Sequence, residues 1–266
     1  MTSSTPLQAD TWSLHGLPIT NFSMDAAVGQ LTRWLSSPTA RRIAFVNAHC
    51  VNVAVTTPAY HQALCRCDLL LPDGLGLRIA SHLWRHPMIA NTNGTDLLPL
   101  LFQALQGRSL FLLGAAPGVA DHVAHHLRTH YPNLSIAGTH HGYFAPHQTT
   151  AIIDGINQAK PDILLVAMGV PRQELFVDQY APHLQVPLIF SVGGLFDFLS
   201  QRIPRAPHWM RRLGMEWAFR LAKEPTRLWQ RYLLGNPRFL ARLIYNLPEA
   251  WSSKSRPFST AQGPHS

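Results

Sequence analysis

Residues 109–130 read Ser-Leu-Phe-Leu-Leu-Gly-Ala-Ala-Pro-Gly-Val-Ala-Asp-His-Val-Ala-His-His-Leu-Arg-Thr-His. Ser109–Leu113 is a short apolar run without polar alternation, the pattern of a strand buried on both faces. Gly114-Ala-Ala-Pro-Gly118 then turns the chain into a helix, Val119–His130. A doubly buried strand, a glycine turn and a helix form the repeating unit of a parallel sheet covered by helices.

The same rhythm extends in both directions. Downstream, Leu134–Gly138 reads as a strand and Thr149–Gln158 as a helix. Asp162–Met168 is a strand, Gly169–Glu174 turns into a helix through Tyr180, and Pro187–Val192 is a strand ending at Gly193-Gly194. Upstream, Asp25–Leu35 has helical spacing and Arg42–Asn47 is a short buried strand. A helix follows through Val51–Ala63, then the strand Leu69–Leu71, which stops at Pro72-Asp73-Gly74. Asp96–Leu105 reads as a helix with Thr95 as its N-cap. The expected architecture is α/β, a Rossmann-like and mostly parallel sheet with helices on both faces. Glycine turns recur at the carboxyl ends of strands, where open α/β sheets bind ligands.

Residues 1–16 are polar and read as a flexible N-terminus, with a strand beginning at Leu17. The α/β domain spans 17–203. After Ser200 the character changes: Pro204, Pro207, Pro225 and Pro237 punctuate short helical segments at about 207–213, 216–222, 226–234 and 238–245. We read 204–247 as a helical appendage and the Ser- and Pro-rich residues 248–266 as a disordered tail. No apolar run approaches the ~20 residues that span a bilayer. The N-terminus has no secretory pattern, and Cys50, Cys65 and Cys67 form no C-x-x-C. A reducing, cytoplasmic compartment is the expectation.

Charge is concentrated in one place. Residues 201–242 contain ten basic side chains against Glu216 and Glu224, a surplus of eight that equals the net charge of the whole chain. Trp209, Trp217, Phe219, Trp229, Tyr232 and Phe239 are threaded through it. Such a segment meets nucleic acid, lipid headgroups or a phosphorylated ligand.

Asp73 follows a buried strand beside two glycines and faces the ligand crevice, where a carboxylate can take a proton from a hydroxyl. The same Asp-Gly pair also reads as a plain tight turn. Asn47 ends another strand on the same rim. The Gly114–Gly118 loop offers N–H groups and a helix start to a phosphate, but it is not G-x-G-x-x-G, so a dinucleotide is not expected. His122 and His126 have i,i+4 spacing without a third ligand, which reads as a solvated helix face rather than a metal site. There is no Asp-x-Asp, so a diphosphate must be neutralised by arginines. G-x-S-x-G and G-K-[ST] are also missing, which removes simple hydrolase and NTPase readings.

Several motifs occur together: Leu71-Pro72-Asp73-Gly74-x-Gly76, Gly94-Thr95-Asp96, Gly138-x-x-His141-Gly142-Tyr143-Phe144, Gly169-x-Pro171-x-Gln173-Glu174 and Val192-Gly193-Gly194-x-Phe196-Asp197. The run from Arg205-Ala206-Pro207 through Gly214-Met215-Glu216-Trp217, Arg220, Glu224-Pro225-x-Arg227 and Arg231-Tyr232 follows them. In this order they resemble the WecG/TagA/CpsF glycosyltransferases (family 26) over about residues 17–245. The resemblance implies an inverting hexosyltransferase, independent of metal and cofactor, that uses a UDP-sugar. It also implies a polyprenyl-diphosphate-linked saccharide as acceptor, at the inner face of the cytoplasmic membrane, and association through the sheet domain.

By position, the resemblance makes Asp73 the catalytic base beside Asn47, and Gln173 a pocket glutamine. Arg220, Arg227 and Arg231 would close over the leaving diphosphate. The candidate substrate-binding set is completed by Gly74, Gly114, Gly118, Gly169, Pro171, Glu174, Gly193, Gly194, Asp197 and Arg205. Asp197 is expected to pair with an appendage arginine, and Arg211, Arg212, Arg238 and Arg242 to meet anionic lipid. Three positions depart from the family pattern. Phe45 stands where threonine is common, Ala90-Asn91-Thr92-Asn93 where an arginine is common, and Gln230 where the first arginine of Arg-Arg-Tyr is frequent. Two other classes are weighed: a basic, aromatic nucleic-acid binder, for which the glycine rims and Asp73 have no use, and a non-catalytic sugar-nucleotide sensor, against which the retained Asp73 argues.

Overall fold

A computed structural model describes residues 10–37 and 39–246 of the chain. It opens with a hairpin: β1 (Asp10–Leu14) pairs antiparallel with β2 (Leu17–Asn21), Trp12 opposite Ile19. Residues 10–16 are therefore ordered, contrary to the expected flexible N-terminus; residues 1–9 lie outside the described residues. Trp12 and Leu14 are buried while Thr11 and Ser13 face out. That two-residue alternation makes a strand, yet keeps the stretch polar on average.

Six further strands form one all-parallel sheet: β3 (Arg41–Val46), β4 (Leu69–Pro72), β5 (Ser109–Gly114), β6 (Ser135–His140), β7 (Ile163–Ala167) and β8 (Leu188–Ser191). Their spatial order is β4-β3-β8-β7-β5-β6. Successive residues of each strand feed opposite faces: Ile43 and Phe45 pack on one side, Ala44 and Val46 on the other. This double burial is why the strands read as continuous apolar runs.

Helices α1 (Met24–Trp34), α2 (Ala48–Thr56), α3 (Pro58–Cys65), α4 (Leu75–Leu83), α5 (Gly94–Ala104), α6 (Val119–His130), α7 (Thr149–Ala159), α8 (Arg172–Tyr180) and α9 (Leu195–Leu199) cover it. α1, α5, α6 and α9 supply one face; α2, α3, α4, α7 and α8 supply the other. Neighbouring strands β3 and β8 send the chain to opposite faces, into α2 and α9 respectively. A crevice opens between their carboxyl ends for that reason.

Local differences have local causes. The expected helix over 51–63 is two helices, because Pro58 starts a new one and Thr57 is held extended. The cap of α5 is Asn93 rather than Thr95: its Oδ1 accepts from the Asp96 N–H (2.9 Å) and from the Thr95 hydroxyl (2.7 Å). Helices α4 and α9 were not anticipated.

The basic segment forms α10 (His208–Arg212), α11 (Glu216–Lys223), α12 (Pro225–Trp229), a π turn over Gln230–Leu234 and α13 (Gly235–Tyr245). The last three run on without the expected break at Pro237. The Gly235 N–H reaches back to the Gln230 carbonyl, so Pro237 falls in the first turn of α13, where no N–H is required. Phe239 and Leu243 of α13 are fully buried in the core that α2 and α4 share. Residues 247–266, which include the expected disordered tail, lie outside the described residues. Among the described residues no helix is long and apolar enough to cross a membrane.

Candidate active site

The site begins where β3 and β4 stop. Asn47 caps α2, its Oδ1 accepting from the N–H groups of His49 (3.1 Å) and Cys50 (3.2 Å). That leaves its Nδ2 to donate to Asp73 Oδ2, at 3.4 Å. Asp73 is set by its own N–H, which bonds the Val46 carbonyl at 2.8 Å. Gly74 follows at φ +89°, a conformation that favours glycine, and its N–H donates to Asn91 Oδ1 at 2.7 Å. Asn91, a departure from the family pattern, is thus the brace of the Asp73 turn.

Burial raises the Asp73 pKa above the ordinary carboxylate range, and Glu216 adds to this. The Asn47 bond and the charges of Arg231 and Arg220 act in the opposite direction without cancelling it. The carboxylate lies in the wall between two cavities of about 760 and 530 Å³. Both are lined by Phe45, Asn47, Asp73, Val192, Gly194, Arg220 and Arg231. The larger one runs past the β7 and β8 loops to Ala115, Ala116 and Tyr143, and its cations are Arg172, Arg202, Arg220, Lys223, Arg227 and Arg231. The smaller runs under the appendage past Leu75, Ile79, Trp217, Tyr232, Leu233 and Leu240. Phe45 forms the floor common to both, its ring against α5: a Cβ added at Gly94 would lie 3.1 Å from it.

Gln173 is buried and spans two loops. Its Oε1 accepts from the N–H of Gly169 (3.2 Å) and of Gly193 (3.0 Å), and its Nε2 donates to Glu174 Oε1 (2.8 Å). Glu174 is buried and has no ionic partner among the described residues, and its pKa is pushed up to about 7 by burial, with the Gln173 bond opposing. The rim is therefore less open to phosphate than its glycines suggest. The N–H of Ala115 bonds Ala167 O (2.8 Å) and that of Gly142 bonds Ala115 O (2.9 Å). With Gly74, Gly169 and Gly193 also engaged, five rim N–H groups are already used inside the protein.

Of the expected residues, Asn47, Asp73, Gly74, Gly169, Gln173, Gly193, Gly194, Asp197, Arg220, Arg227 and Arg231 line one or both cavities. Gly114, Gly118, Pro171, Glu174 and Arg205 line neither. Gly114 has φ +144°, and a Cβ there would collide with the Ala167 carbonyl; it serves the close approach of β5 and β7. Arg205 is a strut: it donates to Asp96 Oδ1 (2.8 Å) and to the Thr95 carbonyl (3.2 Å), and pairs with Glu216 (3.5 Å). It fastens the appendage to the start of α5.

The expected link between Asp197 and an appendage arginine is present. Arg227 contacts Asp197 at 3.3 Å and Glu224 at 2.6 Å. Arg220 lies over the Phe198 ring at 4.9 Å and reaches Glu224 at 3.5 Å. Its guanidinium is also 3.1 Å from where a Gly194 Cβ would stand, so a side chain there would displace it. Arg242, expected to meet lipid, instead donates to Asn52 Oδ1 at 2.6 Å and holds α13 on α2. Arg211 turns into the smaller cavity. Sequence reasoning did not select Arg172, Arg202, Lys223 or Tyr143; for Arg202 and Lys223 the one signal was membership in the basic segment.

A parallel α/β sheet with a buried carboxylate between two clefts, under an arginine-bearing helical cover, can hold a phosphorylated ligand beside a proton acceptor, and the proteins this chain resembles are glycosyltransferases. The profile of the Glycosyl transferase WecG/TagA/CpsF family matches residues 12–253, and the chain belongs to that family. It is 30% identical over 237 residues to the N-acetylglucosaminyldiphosphoundecaprenol N-acetyl-beta-D-mannosaminyltransferase of Bacillus subtilis (strain 168), covering 88% of this chain and 91% of that one. The protein of the same name from Bacillus spizizenii is 33% identical over 193 residues, 72% of this chain and 74% of its own. That of Staphylococcus aureus (strain MW2) is 27% identical over 239 residues, 88% and 91% of the two chains.

Proposed function

We propose that this enzyme transfers a hexose-type sugar from a UDP-sugar to a polyprenyl-diphosphate-linked saccharide, with inversion, in the assembly of an envelope or exported glycopolymer. The observation that carries this reading is the position of Asp73 in the wall common to two cavities. The larger, cationic cavity suits a nucleotide diphosphate sugar. The smaller, with its apolar walls, suits a saccharide carried on a prenyl chain. An acceptor hydroxyl entering from the second cavity meets Asp73, which takes its proton as the oxygen attacks the anomeric carbon. The nucleotide diphosphate leaves from the opposite face, and inversion follows from that line of attack.

Negative charge grows on the leaving diphosphate during this step. With five rim N–H groups engaged within the protein, cationic side chains of the larger cavity meet it in place of a metal ion, Arg220, Arg227 and Arg231 among them. Asp73 must be ionised to act, so its raised pKa moves the acid limb of kcat/KM above the ordinary carboxylate range. Asp73→Asn is expected to lower UDP release in the presence of acceptor by about 10³-fold, within the usual span for a general base, while UDP binding is kept. Turnover within tenfold of wild type would remove Asp73 from this role.

The same segment exposes Trp209, Leu213, Trp229, Leu234, Ile244 and Tyr245 alongside Arg212 and Arg238. We read this outer surface as the contact with an anionic membrane at its cytoplasmic face, tested by co-sedimentation with vesicles.

A further inference from the structure

The two cavities share their cations unequally. Among the described residues lining the smaller one, Arg211, Arg220 and Arg231 are the arginines, and the last two also face the larger. His49 stands on the same wall but adds no charge near neutral pH, because burial and then Arg231 lower its pKa to about 4. Arg211 is thus the one cation that faces the smaller cavity alone.

Its guanidinium has one long ion pair. Among the described residues the buried Arg211 Nε has no hydrogen-bond partner, and the carboxylate paired with Arg211 is that of Asp96, 3.8 Å away. Asp96 is itself held by Arg205 at 2.8 Å and by the Asn93 amide at 2.7 Å. Much of the remaining wall is apolar, with Leu75, Ile79, Leu233 and Leu240 among its residues. A loosely paired guanidinium in an apolar groove matches an anion joined to a hydrocarbon chain.

The proposed reaction requires two diphosphates to be present together, one on the donor and one on the acceptor. Arg220 and Arg231 lie between the cavities and serve the group that develops charge, the leaving nucleotide. A second diphosphate therefore needs its own counter-charge. We propose that Arg211 binds the diphosphate of the lipid-linked acceptor, distinguishing prenyl diphosphate saccharides from their monophosphate counterparts. This rests on the assignment of the smaller cavity to the acceptor. The contact is a two-pronged guanidinium–phosphate hydrogen bond, and no bond is made or broken in it.

The test is Arg211→Gln in the full chain, assayed with a UDP-sugar and two soluble acceptors, a saccharide diphosphate and a saccharide monophosphate on the same short prenyl chain. For the diphosphate, acceptor KM should rise 10- to 100-fold, while donor KM and the Kd for UDP stay within twofold. Wild-type preference for the diphosphate should collapse toward unity, and Arg211→Lys should recover part of it, as a point charge without the fork. An unchanged acceptor KM, or a donor KM that rises equally, overturns the proposal. A wild type that transfers to neither acceptor overturns the acceptor assignment itself, and this inference with it.

Discussion

Glu174→Gln isolates the buried carboxyl that lines neither cavity from Asp73, which lines both. Glu174 is buried, its Oε2 has no hydrogen-bond partner among the described residues, and its pKa stands at about 7 against an ordinary 4.5. A carboxyl whose folded pKa is raised adds stability that is fully present below its unfolded pKa and is lost as pH rises through the folded one. The window is therefore about pH 4.5 to 7. At about 1.4 kcal/mol per pK unit, the contribution lost across it is roughly 3 kcal/mol as an upper figure. Neighbouring groups do not blur the reading. Burial raises Tyr60 strongly and moves Cys50 to about 11 and Cys67 to about 12, so all three stay neutral throughout.

Glutamine fills the same space, can still accept from Gln173 Nε2, and never ionises. Thermal unfolding of wild type and Glu174→Gln at pH 5 and pH 8.5 reads the difference directly. The variant's relative advantage should grow by up to roughly 3 kcal/mol between the two, or about 6–12 °C in Tm for a chain of this size. Parallel stability–pH curves for the two proteins would refute the reasoning, since the buried carboxyl would then not be titrating in that window.

Two further outcomes follow from the appendage. Phe239→Ala removes a fully buried ring between α13 and the sheet domain, so urea unfolding should show a loss of about 3–5 kcal/mol, with transfer falling as Arg220 and Arg231 lose their seat. A stability change below 1 kcal/mol would mean that the segment is fastened elsewhere. The full chain should sediment with vesicles containing anionic lipid, less so as salt is raised, and not with neutral ones. Equal binding to both would take the arginines out of membrane contact.

The sheet was legible because its strands are buried on both faces and leave uninterrupted apolar runs such as Ile163–Ala167. The hairpin was not, since Trp12 and Leu14 alternate with polar residues and a short stretch offers too few repeats to read. That Asp73 and Asn47 lie together at strand ends was legible from chain order, since each follows a buried strand directly; a role for either came only from the resemblance. Gln173 was placed correctly on the rim, but sequence could not show that its oxygen takes two glycine N–H groups away from a ligand. Gly114 stayed open between a phosphate cradle and close packing for a related reason. A glycine that lets two strands approach and a glycine that cradles phosphate look the same until the partner backbone is known. The arginines were the hardest to sort. Arg205, Arg211 and Arg242 share one basic stretch, and only three-dimensional neighbours separate the strut, the cavity wall and the helix tie.

Asn47 has a consequence that reaches beyond this reaction. An asparagine amide can usually turn over by half a rotation at little cost. Here such a flip would strip two N–H groups of their acceptor at the head of α2 and push an oxygen against the Asp73 carboxylate. Aspartate would keep the helix cap and lose the donor, serine or threonine would offer a shorter hydroxyl in place of the amide, and glutamine would keep a donor and lose the cap. Asparagine answers both demands at once, and the polarity facing Asp73 is keyed by the same backbone that starts the helix.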